Sequence, residues 1–174
     1  MSESKMTIGA YARVYGLYMG IFWAVKFVFF PLGFSYPVFS FIFLLLTIMV
    51  PFVGAWFVKK IRDGVLDGRL GFWQAFLLST NIYMYASLIA AIVHFIYFRF
   101  IDNGFILNSY LESVNQMQEL LGSGEAAANI EMLKANVELM GTLSPIQIVF
   151  SLLSNNVVFG LFISLLAAVF LKRR

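Results

Sequence analysis

Three long stretches without a charged residue limit what this chain can fold into more than any other feature. They cover residues 27–58, 70–98 and 139–171. Each is long enough to hold the roughly 20 apolar residues that cross a bilayer core as a helix. Backbone amides in hydrocarbon must find their hydrogen-bond partners inside the protein, which a helix provides. The sequence therefore predicts an integral membrane protein built largely of transmembrane helices.

The composition supports this class and excludes others. The 174 residues are 61% apolar and 12% charged, whereas soluble proteins are about 45–50% apolar and about 25% charged. Cysteine is absent and His94 is the single histidine, so disulfides, thiolate chemistry and a multi-histidine metal centre within one chain are excluded. No catalytic, cofactor-binding or metal-binding motif is found, and we predict no cofactor, no metal and no enzymatic activity. The net charge of +3 comes from basic residues beside the spans and suits an anionic leaflet better than a nucleic acid.

Four spans are predicted, at about residues 10–32, 38–58, 72–98 and 145–171. Pro31 and Gly33 are expected to end the first span, and the short connection that follows makes the second span antiparallel to it. Ser144, Pro145 and Gln147 mark the start of the last span. They provide a hydroxyl cap, a proline in the first turn and an amide that can reach back to the cap.

Orientation follows from the basic residues, because short loops rich in Lys and Arg stay in the cytoplasm. The basic residues of the linker 59–71 and of the tail are Lys59, Lys60, Arg62, Arg69, Lys172, Arg173 and Arg174. With four spans, this places both termini, including Lys5, in the cytoplasm. The segment 99–144 has six carboxylates and two cations, a net charge of −4, and is predicted to lie outside.

The outer segment has the periodicity of two amphipathic helices. Apolar residues recur at steps of three and four on both sides of the Gly122-Ser123-Gly124 turn: Leu107, Leu111, Val114, Met117 and Leu121, then Ile130, Leu133, Val137 and Met140. We predict a helical hairpin over about 105–141, whose apolar stripe packs the two helices together, rests on the outer membrane surface or meets a partner. The fold class is all-α: a four-helix transmembrane bundle with an extra-cytoplasmic amphipathic helical hairpin between spans 3 and 4, in one integral membrane domain, residues 1–174.

Small residues at helical spacing predict where the spans approach one another, because helices in lipid associate through close packing and polar contacts. The candidate packing residues are Gly16 and Gly20 in the first span, Ala86 and Ala90 in the third, and Gly160, Ser164 and Ala168 in the fourth. Packing within one bundle is the expected use of these faces. A dimerisation surface is the alternative.

Polar residues within the spans are the candidates for a functional pocket. Lys26, His94, Asn155 and Asn156 fall in the outer halves of their spans, and burying a lysine in a bilayer costs about 2.5–3.5 kcal/mol even on the translocon scale. If these side chains face inward, they form a polar pocket that opens outwards and suits an anionic headgroup or a proton-coupled step. The alternative is that Lys26 extends to the headgroups and the asparagines bond to one another. Asn81 is expected to form an interhelical hydrogen bond.

Charges at the membrane edges are expected to have structural roles. Arg99 and Asp102 lie one helical turn apart and predict an ion pair. On the inner edge, Asp63 and Asp67 stand among the cations Lys59, Lys60, Arg62 and Arg69. Catalysis on lipid-linked substrates by Asp63, Asp67 or Asp102 is the weakest of the functional hypotheses, because further ligands or acid/base partners are missing.

Three blocks resemble one known family. RDGVLDGRLGFWQAF spans residues 62–76, YFRFIDNGF residues 97–105 and VVFGLFISLLAAVFLKRR residues 157–174. Together they resemble the domain of unknown function 4199 family, small four-span inner-membrane proteins mainly of bacteroidete bacteria. The resemblance covers nearly the whole chain and implies a multi-pass protein of the bacterial inner membrane. It implies no catalytic residue.

Two functions of different classes follow from these observations. The first is a non-enzymatic accessory or scaffold protein that binds a partner protein or a second copy through the outer hairpin and the small-residue faces. The second is a small oligomeric transporter, flippase or channel component that uses the polar pocket around Lys26. The expected partners are the lipid bilayer and a membrane protein or a second copy of the chain, and no nucleic acid.

Overall fold

The computed structural model describes residues 7–121 and 125–173. Lys5, Arg174 and the predicted turn at residues 122–124 lie outside them. The described residues form six helices: α1 (Ile8–Ser35), α2 (Pro37–Val65), α3 (Phe72–Phe100), α4 (Phe105–Leu121), α5 (Glu125–Gly141) and α6 (Pro145–Leu171). Within them no strand occurs apart from one isolated β-bridge.

The all-α fold class is confirmed. Among the described residues, four helices are long and apolar enough to cross a bilayer: α1, α2, α3 and α6. By its contacts the chain divides into a first unit, residues 1–93 and 151–174, and a second unit, residues 94–150. The first unit contains α1, α2, most of α3 and most of α6, and the second contains the helices α4 and α5.

The connection between α1 and α2 is shorter than predicted. α1 continues past the expected end at Leu32 to Ser35, and only Tyr36 separates it from α2. Pro31 lies inside α1, as prolines in transmembrane helices can, because local adjustments and neighbouring groups satisfy the backbone carbonyl that a proline leaves without a donor. The helix end is then closed by two hydrogen bonds: the Tyr36 amide donates to the Leu32 carbonyl at 3.0 Å, and the Ser40 hydroxyl donates to the Gly33 carbonyl at 3.1 Å. This one-residue turn makes α1 and α2 antiparallel neighbours, as expected.

Tyr83 of α3 lies at the centre of the first unit and is only 1% exposed. Its ring packs against Trp23 of α1, with the centroids 6.0 Å apart, and its hydroxyl donates to the Val50 carbonyl of α2 at 3.3 Å. Glycines make room for it on two sides. A Cβ at Gly160 of α6 would lie 2.7 Å from the Tyr83 Cβ, and a Cβ at Gly54 of α2 would overlap the Tyr83 hydroxyl. One side chain therefore contacts the other three spans of the unit.

The register between α3 and α6 follows from two contacts. Gly160 lies against Tyr83, and Leu70 forms an antiparallel bridge with Arg173. Both pairs imply the same antiparallel register, and this register places Ser164 level with Ser79. Both serines are fully buried. Side chains this small allow the backbones of the two helices to approach closely, which is how helices associate in lipid.

The second unit contains the hairpin that the sequence predicts. α4 and α5 pack side by side. Their buried apolar residues are Ile106, Val114, Ile130 and Val137. Val114, Ile130 and Val137 of the predicted stripe thus pack the hairpin together, whereas Met117, Leu133 and Met140 of the same stripe are exposed. The start of α6 has one half of the expected cap, because the side-chain oxygen of Gln147 reaches back and accepts from the Ser144 amide at 2.8 Å. The Ser144 hydroxyl donates to the same oxygen at 2.8 Å, and no hydrogen bond from a helix amide to this hydroxyl is among those of the described residues.

The close approach at Tyr83 gives a stability prediction. Gly54→Ala adds a Cβ where the Tyr83 hydroxyl lies, and Tyr83 is fixed on its other sides, so we expect a loss of about 1–3 kcal/mol in the free energy of unfolding. The matched control is Gly64→Ala on the same helix, where a Cβ has nothing within 4 Å and better helix propensity stabilises by about 0.5–1 kcal/mol. Unfolding in mixed detergent measures both. Equal stability of the two variants would contradict the packing around Tyr83.

Candidate functional site

Lys26, the main candidate of the predicted pocket, is surrounded by aromatic rings. Its ammonium lies 5.9 Å from the centroid of Trp23 and 5.2 Å from that of Phe43, which belongs to α2. A cation over ring faces gains about 0.5–2 kcal/mol, depending on how far it is desolvated. Over the described ranges 7–121 and 125–173 no carboxylate pairs with this ammonium. The Lys26 side chain is half-buried beside α2. Its neighbours are therefore these aromatic rings and not the polar side chains that were expected from their similar depth in the membrane.

The other pocket candidates have different environments. Asn155 is exposed and Asn156 half-buried on α6, whereas His94 is buried in the second unit. Asn81 is exposed on α3, and its predicted interhelical hydrogen bond is not among those that the described residues form. No hydrogen bond between described residues joins Lys26 to either asparagine of α6. The structure therefore provides no polar cluster around Lys26 within the first unit.

The small-residue faces are buried inside the first unit. A Cβ at Gly16 would overlap the Cβ of Tyr85, and one at Gly20 would lie 2.7 Å from the Cβ of Ile89, so α1 packs closely on α3. The remaining candidates are also buried: Ala86, Ala90, Gly160, Ser164 and Ala168. Because these faces are covered by neighbouring helices, they offer no surface to a second copy of the chain.

Arg62 lies in the last turn of α2, which it connects to the end of α6, and it is only 8% exposed. Its guanidinium donates from Nε and Nη2 to the two carboxylate oxygens of Asp63, at 2.7 and 3.2 Å, and from Nη1 to the Leu171 carbonyl at 3.1 Å. The last four carbonyls of a helix lack partners within the helix, so Arg62 satisfies one of those of α6. Sequence reasoning placed Arg62 at the membrane edge but missed this contact, because its acceptor lies 109 residues away.

The same end of the first unit is closed by backbone hydrogen bonds. Leu70 and Arg173 exchange two bonds of 2.8 Å between their amides and carbonyls. Asp67 and Gly68 turn the chain before this bridge, with φ values of 50° and 76°. We call this part of the unit, with the exposed residues Lys59, Lys60, Arg69, Lys172 and Arg173, the basic end.

The acidic candidates have structural surroundings. Both oxygens of Asp63 accept from Arg62. In place of the expected ion pair with Arg99, the carboxylate of Asp102 accepts from the amides of Gly104 and Ile106, at 3.1 Å each, and so orders the start of α4. The guanidinium of Arg99 lies over the Phe100 ring, 5.7 Å from its centroid. Among the described residues no group of three His, Asp or Glu side chains could hold a metal ion.

Four helices that are long and apolar enough to cross a bilayer, with charged residues near their ends, define the class: a multi-pass α-helical membrane protein. The chain belongs to the family described as protein of unknown function (DUF4199), whose sequence model matches residues 14–173. The resemblance inferred from the three sequence blocks is thus confirmed. No match was found among curated proteins or among solved structures.

The Arg62 contacts give a second prediction. Arg62→Gln removes the donor that holds the end of α6 at the last turn of α2, so we expect the amides of Leu70 and Arg173 to exchange with solvent about ten-fold faster, a loss consistent with one charged hydrogen bond. Hydrogen exchange with mass spectrometry measures this. Arg69→Gln removes the same charge from an exposed position in the linker after α2 and should leave both amides protected. Faster exchange in both variants would assign the effect to charge alone.

Proposed function

We propose that this protein is a non-enzymatic accessory protein of a bacterial inner membrane and that it binds a partner protein through helix α5 of the hairpin. The observation that carries this proposal is a second apolar stripe on α5. Val137 is buried against the hairpin, whereas Met132 and Leu139 are 69% and 64% exposed. Leu139 lies about 200° around the helix from Val137 at 3.6 residues per turn, so the stripe faces away from α4.

The charges beside the stripe favour a protein over a lipid surface as its partner. Glu131 and Glu138 immediately precede Met132 and Leu139 and are exposed. Helices that lie on membranes carry Lys and Arg on their polar face, because bilayer surfaces are anionic. A stripe bordered by carboxylates instead fits an apolar groove with a basic rim, which is the way amphipathic helices bind to proteins.

The transmembrane part supports an anchoring role more than a transport role. Its small-residue faces are covered within the first unit, and Lys26 rests on aromatic rings. A transport pathway would require a polar lining, and a lysine held over Trp23 and Phe43 does not supply one. The transporter alternative therefore has no specific observation in its favour.

Photocrosslinking in intact membranes tests the partner proposal. A photoreactive residue replaces Ala135, which is exposed and lies between Met132 and Leu139. We expect a discrete protein adduct with the otherwise native chain and its loss in Met132→Glu/Leu139→Glu, because two buried carboxylates without partners cost several kcal/mol. Asn115→Glu/Gln118→Glu adds the same charge on exposed positions of α4 and should leave the adduct intact.

The identity of the adduct decides the class of partner. A heterologous protein supports the proposal as stated. An adduct of twice the mass of the chain, recovered with two differently tagged copies, would replace the partner by a second copy. Lipid adducts alone, or a protein adduct that persists in the Met132→Glu/Leu139→Glu variant, would overturn the proposal.

We also propose that both termini lie in the cytoplasm and the hairpin outside. The support is the charge asymmetry: the basic end has the exposed cations Lys59, Lys60, Arg69, Lys172 and Arg173, whereas segment 99–144 has a net charge of −4. Moving Lys and Arg across a membrane is strongly disfavoured in short loops.

The absence of cysteine from the sequence makes the orientation easy to test, because a single introduced cysteine is the only thiol. A membrane-impermeant maleimide added to spheroplasts should label Asn115→Cys in the hairpin at once. It should label Arg69→Cys in the linker only after the membrane is permeabilised. The reverse pattern would show the opposite orientation.

A further inference from the structure

An open groove lies between α1 and α2 near the basic end. Its volume is about 450 Å³, within the range of roughly 300–1,000 Å³ of ligand sites. It is lined by Tyr11, Val14, Tyr15 and Tyr18 from α1 and by Trp56, Phe57 and Lys60 from α2. The four α1 residues follow one another at steps of three and one, so they share one helix face. The groove lies wholly within the first unit.

The aromatic walls of the groove support one another. Phe57, which is buried, stacks at a tilt with Tyr15 at 5.0 Å, with Tyr18 at 6.5 Å and with Trp56 at 5.3 Å between ring centroids. Tyr15 and Tyr18 also meet edge to face at 6.0 Å. Such contacts add about 0.5–1.5 kcal/mol each beyond burial. The groove is therefore formed by a connected set of rings, and a ligand would not have to order separate side chains.

The groove has a cation without an anion. The Lys60 ammonium lies 5.2 Å from the Trp56 ring centroid, and among the residues that the structure describes it has no carboxylate partner. The nearby Asp63 is already paired with Arg62 through both of its oxygens. The hydroxyl of Tyr11, at the same end of the groove, donates no hydrogen bond to a described residue. An ammonium and a phenol at one end of an aromatic channel suit a phosphate bound there.

The direction of the groove matches a lipid. From Tyr11 to Tyr18 it runs about 10 Å along α1 at 1.5 Å per residue, leading from the charged end of the helix pair into the apolar part of the spans. Tyr18 and Trp56 are about half exposed and would face hydrocarbon. A molecule that fills the groove thus needs an anionic head at Lys60 and an apolar chain along the rings.

We propose that this groove binds one anionic phospholipid, with its phosphate at Lys60 and Tyr11 and its first acyl segment along Val14, Tyr18 and Trp56. Charge complementarity selects the anionic lipid: the cations of the basic end attract an anionic headgroup, and a zwitterionic headgroup brings its own ammonium against them. A soluble phosphate ester has the head chemistry but leaves the aromatic wall without a partner. The site is independent of the partner surface on α5.

Lipid retention tests the charge part of the proposal. Full-length protein is released from nanodiscs of mixed phosphatidylcholine and phosphatidylglycerol, and native mass spectrometry measures the lipid that stays bound. We expect one retained phosphatidylglycerol, and a loss of affinity of about ten-fold or more in Lys60→Gln, because a direct charged hydrogen bond is removed. Lys59→Gln removes the same charge one residue away from the groove lining, and its long-range effect should stay below about five-fold.

A second pair of variants tests the groove itself without changing charge. Val14→Trp fills the groove and should abolish retention, whereas Leu17→Trp, exposed on α1 but outside the lining, should retain the lipid. Glycerol phosphate added in excess should not displace the bound lipid. Equal losses in Lys60→Gln and Lys59→Gln, full retention in Val14→Trp, or displacement by glycerol phosphate would each overturn the proposal. If one variant of a pair has an altered thermal unfolding midpoint, the other pair of variants decides the test.

Discussion

The first unit depends on the close packing of helices around Tyr83. In lipid, no hydrophobic force drives helices together, so van der Waals contact and buried hydrogen bonds must do so. Tyr83 supplies both: its ring occupies the space left by Gly54 and Gly160, and its hydroxyl binds the Val50 carbonyl. The same side chain thus connects α2, α3 and α6.

The bundle and the hairpin could be predicted from the sequence because they depend on local patterns. Charge-free stretches, three- and four-residue periodicity and the side chains at the start of α6 are visible in short windows. The largest difference from the predicted bounds is at the end of α2, which continues past the predicted end at about residue 58 to Val65. The antiparallel pairing of α1 with α2 was expected from their short connection, but the side chain that each small-residue face meets could not be predicted, because the spacing identifies a face and not its partner. Gly54 shows this limit: it stands alone in α2, without a second small residue four positions away, yet it approaches Tyr83 most closely.

The candidate site was less predictable for a related reason. Lys26, Asn155 and Asn156 were grouped by depth in the membrane, and depth does not determine direction around the helix axis. The direction is set by packing: α1 turns Gly16 and Gly20 to α3, which leaves Lys26 beside α2 and under Phe43. The faces of the two rings partly stabilise the Lys26 cation in place of the polar side chains that its depth suggested. Arg62 is the opposite case. The sequence placed it at the exposed edge of the membrane, but it is buried and donates to the Leu171 carbonyl, which is remote in sequence.

The two proposed binding surfaces lie outside the apolar interior of the first unit. The described side chains inside the first unit are mostly apolar or small, and its buried serines Ser79 and Ser164 pack without a hydrogen-bond partner. Among the described residues, charge adjoins exposed apolar surface at the groove, where Lys60 lies beside open rings, and on α5, where Glu131 and Glu138 adjoin Met132 and Leu139. The signs are opposite. A cation beside open rings selects a lipid anion, and carboxylates beside an apolar stripe repel one. The same protein can therefore bind an anionic lipid through α1 and α2 and keep α5 available for a protein.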